Sequence, residues 1–273
     1  RDLHSFPTRR SSDLVVIEAT GEEQTAVPLG NDLSIPAGKS MEFRNLILAA
    51  SARANNLVTV HGTVLFDHCR VPAAALRGVE IRDAGQVTFA ECRLEAVKSM
   101  VRGPHARALF LRSHLTGYSA VVVLDELVGT ATFDRCTIEG GFLHRGSATA
   151  SAQCQVINSE LHLLGVGDTG HGEFRFETCT FLPWPGTTVQ MEFDVGRLRL
   201  LDCLLSWDLR IEARDAVEVD RCEMHETWRV VAHAGATIDI RNSVSAAQLT
   251  LSGDAASTIA ISVSRLRREI TFA

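Results

Sequence analysis

Apolar and polar residues alternate in short runs along most of the chain, and the runs themselves repeat. The segment Val87-Thr-Phe89-Ala-Glu-Cys92-Arg-Leu94 shows the unit: apolar residues at −5, −3 and +2 around a small residue at position zero. Position zero recurs at Leu46, Cys69, Cys92, Ser113, Cys136, Ser159, Cys179, Cys203, Cys222, Ser243 and Ser264, at intervals of 19 to 24 residues. Strict alternation predicts strands with one inward and one outward face. A third apolar strand is expected ahead of the motif at Leu33/Ile35, Val79/Ile81, Val121/Val123, Val189/Met191/Phe193, Leu209/Ile211, Trp228/Val230 and Leu249/Leu251.

Each repeat thus predicts strand, glycine-containing turn, strand, very short turn, strand and variable loop. Stacking such units pairs every strand with its copies above and below and closes a continuous core. The expected architecture is an all-β, single-stranded solenoid of about ten coils, with ~22 residues in each. Small residues at position zero suit a tight interior corner. Six of the seven cysteines fall there and Cys154 sits at a −5 position. No C-x-x-C pair occurs, and free cysteine behaves as a small buried hydrophobe, so core packing is expected of the cysteines rather than metal or redox chemistry. Leucine-rich repeats have a similar period but need leucine at −8, where His61, Ala84, His105 and Val128 stand here.

The coil motif Gly78-Val-Glu-Ile-Arg-Asp-Ala-Gly-Gln-Val-Thr-Phe-Ala-Glu-Cys-Arg-Leu94 resembles that of the right-handed parallel β-helix proteins, the pectin-lyase-like superfamily. The resemblance extends from Val15 to Ala273 and implies a right-handed coil and a secreted or cell-surface setting. Enzymes of that superfamily degrade acidic polysaccharides. Its lyases imply calcium-binding carboxylates beside a catalytic Arg or Lys, and its polygalacturonases imply clustered aspartates with an adjacent pair. This chain has no Asp-Asp pair, and no pectin methylesterase motif is found. No catalytic residue can be assigned, and a motif of this kind specifies fold rather than function.

Residues 1–14, RDLHSFPTRRSSDL, resemble one translated frame of a short-read sequencing adapter. They are set aside as a disordered leader. The remainder, 15–273, is expected to be one solenoid domain truncated at its N-terminus, so localisation cannot be read from the sequence. Hydrophobic residues make up 45% and charged residues 22%, which marks a folded chain rather than a disordered one. No apolar run approaches the ~18 residues of a membrane span. A formal net charge of −6, with no clustered Lys and Arg except Arg265, Arg267 and Arg268 near the end, argues against nucleic acid.

One edge stands out. Trp184, Trp207 and Trp228 fall at +5, +4 and +6 in the same variable segment of three consecutive coils. Outward positions of the strands that follow carry Glu192, Asp194, Arg210, Glu212 and Arg229. Aromatic faces beside carboxylates and guanidinium groups suit a polysaccharide. Opposite charges on neighbouring strands are also ordinary solvated pairs. The expected function is a monomeric, non-catalytic module presenting a rigid surface to a glycan or protein, without a cofactor. The alternatives are a divergent polysaccharide lyase or glycoside hydrolase, with calcium in the lyase case, and a structural segment of a larger surface or secreted protein.

Overall fold

The computed structural model describes residues 9–10, 14–19, 24–28, 32–49, 57–73, 75–76, 78–117, 124–139, 152–162, 165–167, 171–183, 190–245, 248–254, 256–262, 265–266 and 270–272. No helix occurs among them, so none is long and apolar enough to cross a membrane. The architecture is a parallel β-solenoid with three faces. The first runs from the strand Leu14–Glu18 to Thr258–Ser262, and the second is a sheet of twelve strands from Thr25–Pro28 to Arg265–Leu266. The third begins as a five-stranded sheet, Leu33–Ile35 to Leu124–Leu127. It resumes at Gly165–Gly167, continues through the first halves of Met191–Leu201 and Leu209–Asp220 and ends at Ile270–Phe272.

Register follows the motif. Val64, Val87, Ala108 and Ala131 stack in one row and Phe43, Phe66, Phe89, Phe110 and Phe133 in the next. The five rings lie 4.4 to 5.0 Å apart, with planes inclined by only 2–11°. Their separation is the strand spacing itself, so this part of the stack is nearly untwisted.

The corner between the first and second faces is built the same way in coil after coil. The residue before position zero takes a left-handed conformation: Asn45, His68, Glu91, Arg112, Arg135, Asn158, Thr178, Asp202, Arg221 and Asn242, with φ between 47° and 55°. Few non-glycine residues adopt it, and a β-branched one such as Thr178 rarely does. Stacking offsets the strain, because each of these N–H groups donates to a carbonyl of the next coil, as Glu91 does to Leu111 at 2.9 Å. The small residue that follows points inward and is more than filler. The Cys92 thiol lies 3.4 Å from the Phe66 carbonyl, and the Cys92 N–H donates to Ser113 Oγ at 3.1 Å. Ser or Cys therefore supplies both donor and acceptor where the backbone turns. Ser113→Ala is expected to cost about 1–3 kcal/mol by stranding a buried N–H, and Ser113→Cys distinctly less. Urea unfolding of the two variants measures the difference.

The structure departs from the sequence reading in places. The strand Leu14–Glu18 adds a rung below the first motif, in register with Ser40–Arg44. Arg9–Arg10, within the leader expected to be disordered, pairs antiparallel with Val15 and Val16. An extended segment beside an edge strand can take up its backbone hydrogen bonds. The strand expected at Val121/Val123 lies outside the described residues, and the strand described there is Leu124–Leu127. Third-face strands Leu57–Val60 and Lys98–Val101 were not anticipated. In the second of these, Ser99 takes an inward position and masks the alternation.

Candidate functional site

The anticipated edge divides when its residues are placed. Trp184 lies outside the described residues. Trp228 begins the strand Trp228–Ala232 facing inward, 1% exposed, between Leu209 and Leu249. It is core, and its ring offers no face to a ligand. Trp207 is half-buried at the corner before the third face, packed against the core. The charged residues do come together: Glu192, Arg210 and Arg229 form one outward row, and Asp194 and Glu212 lie in the next. Most are paired already. Arg210 binds Glu212 and lies 3.9 Å from Glu192, and Arg214 holds Asp194. No three His, Cys, Asp or Glu side chains among the described residues are grouped to hold a metal ion.

A second polar region, on the first face, lies outside the residues singled out from the sequence. A shallow hollow of about 250 Å³ is lined by Gln153, Gln155, Glu173, Arg175 and Arg199. Beside it lies another of about 330 Å³, lined by Arg197, Arg199, Asp215, Glu218, Thr237 and Asp239. Arg199 borders both and lies 3.4 Å from Glu173 and 3.3 Å from Glu218.

The rim of the second hollow carries a local irregularity. Val195 pairs with Ala213 but Arg197 pairs with Ala216, so Arg214 and Asp215 together oppose Gly196. Such a bulge re-aims side chains. Here it delivers Asp215 to His171, whose Nδ1 is 3.1 Å from both carboxylate oxygens. The two are separated by a whole coil, and glycine at position 196 puts no side chain between them. No protein-family model, curated protein or solved structure matches the chain. The geometry alone must carry the functional reading.

All seven cysteines are free and buried. Burial pushes the Cys136 thiol up to about 11 and also raises Cys154. On the corner, the hydrogen bond to Asp67 raises the His68 pKa, with Glu91 adding to it. Arg112 lowers Glu91 in turn. Glu80, 2% exposed on the third face, is held by Arg82 and Arg102. These groups form a paired polar lattice along the rod.

Proposed function

We propose that the solenoid is a non-catalytic module that holds a glycan chain along the outward rows of its third face, beside Trp207. The register carries this reading. Glu192, Arg210 and Arg229 recur at a fixed ~4.8 Å strand spacing, with Asp194 and Glu212 one row over. Carboxylates accept from sugar hydroxyls, guanidinium groups donate to them, and the half-buried indole of Trp207 can add apolar contact. Because the frame is a hydrogen-bonded stack, little ordering cost falls on binding. We read the coil as right-handed, as parallel crossovers nearly always are, and as pectin-lyase-like in its motif. A secreted or surface setting follows from that likeness.

Glycan-array binding tests the proposal. Trp207→Ala is expected to weaken binding on the order of tenfold, the loss of one stacking contact. Arg210→Ala with Arg229→Ala should remove most of the remainder. If the wild-type protein binds no glycan, or both variants bind as it does, the proposal is wrong.

A second reading, a divergent polysaccharide lyase or glycoside hydrolase, draws on the His171–Asp215 pair beside the 330 Å³ hollow. A carboxylate-oriented imidazole suits proton transfer. Release of unsaturated uronides at ultraviolet wavelengths, or of reducing ends, would establish it. A structural role in a larger surface or secreted protein is the reading left if neither assay responds.

A further inference from the structure

The outward side chains of the first face carry an ordered charge pattern. Along the central row, from strand Gln153–Ile157 to strand Thr258–Ser262, the residues in register are Gln155, Arg175, Arg199, Glu218, Asp239 and Ala260. Two cations are followed by two anions. Neighbouring like charges on paired strands are unfavourable, and Arg175 beside Arg199 and Glu218 beside Asp239 are such neighbours. An alternating row would serve an isolated molecule better. The observed order nevertheless complements its own reverse.

We propose that this face pairs with the same face of a second copy of the chain. A two-fold axis parallel to the strands, between Met191–Leu201 and Leu209–Asp220, turns the row end for end. Arg199 then lies over Glu218 of the other copy, and Arg175 over its Asp239. In the adjacent row the same operation sets Glu177 over Arg241, again opposite in sign. This is the isologous arrangement expected of a symmetric dimer.

Shape is compatible with the operation. The described chain leaves this face through single left-handed residues. Six strands at ~4.8 Å and five residues at ~3.3 Å give roughly 450 to 500 Å² per copy. That is well below the ~800 Å² of a standard stable interface. The charges already have partners within the chain, such as Arg175 with Glu177 and Arg241 with Glu218, so pairing re-shares them. The dimer is therefore weak, reversible and sensitive to salt.

Sedimentation of the full chain over a range of concentrations tests this. At about 20 mM salt the apparent mass should climb toward twice the monomer value, and at about 0.5 M salt it should fall back. R175E/R199E makes the row wholly acidic and E218K/D239K makes it wholly basic, so each variant alone should stay monomeric. Mixed in equal amounts, they should associate more tightly than the wild type. Circular dichroism checks that both fold. If either does not, the milder R199Q/E218Q should lower the wild-type association constant several-fold. A wild-type chain monomeric at every salt, a dimer unaffected by these substitutions, or charge-swapped variants that ignore one another would each overturn the proposal. The glycan reading concerns the third face and stands or falls separately.

Discussion

Phe89→Ala is expected to lower the unfolding free energy by about 3–5 kcal/mol, toward the upper end for a core truncation. Phe89 is fully buried, with Phe66 at 4.8 Å on one side and Phe110 at 5.0 Å on the other. Removing the ring loses its own burial, leaves a cavity, and breaks two stacking contacts worth about 0.5–1.5 kcal/mol each. The cavity cannot close readily. The coils above and below are held at the strand spacing by hydrogen bonds in register, so they cannot collapse into the gap without breaking pairs. Because each coil of a solenoid contacts only its neighbours, the damaged rung also uncouples the two ends. Urea unfolding should show a lower midpoint and a broader transition. A loss under about 1 kcal/mol would mean that the ring ladder contributes little.

Gly62→Ala should be comparably harmful, although it adds only one methyl group. A Cβ at Gly62 would lie 2.1 Å from the Lys39 carbonyl oxygen and 2.4 Å from that of Pro36. Both atoms are backbone in the coil below, and Thr63 N–H is bonded to the same Lys39 carbonyl at 2.9 Å. Relief requires separating two coils by more than an ångström, which puts the cost at or above about 3 kcal/mol, beyond ordinary overpacking. Gly85 and Gly129 make the same close approach to Val60 and Ala106. Gly38→Ala is the control. Gly38 has φ of +73° and open space around it, so the cost there is only the left-handed strain of about 1–2 kcal/mol. Melting temperatures of the two variants should differ clearly. Equal values would show that contact between coils is not what requires glycine at position 62.

The candidate site was less legible than the fold. Parity along the strand already suggested that Trp228 faces inward, yet repeat position placed it beside Trp207. Parity decided the outcome, because a residue two positions farther along can enter the next strand and join its inward row. The first-face charge order is written in Arg175, Arg199, Glu218 and Asp239, but it emerges only once each is known to lie against the next. The bulge at Arg214 and Asp215 is invisible as pattern, since one extra residue looks like ordinary variation in repeat length.

What the sequence determined by itself is the repeat: which residues face inward, where each coil turns, and that the coils stack. These follow from alternation and period, local properties that a solenoid copies from one rung to the next. Only the tertiary structure decided the corner chemistry and the surface. Glu91, Arg112 and Thr178 have no intrinsic preference for left-handed backbone and adopt it because the coil above supplies an acceptor. His171 meets Asp215 across an intervening coil, and Arg175 meets Arg199 from 24 residues away, because stacking converts separation in sequence into one or two strand spacings.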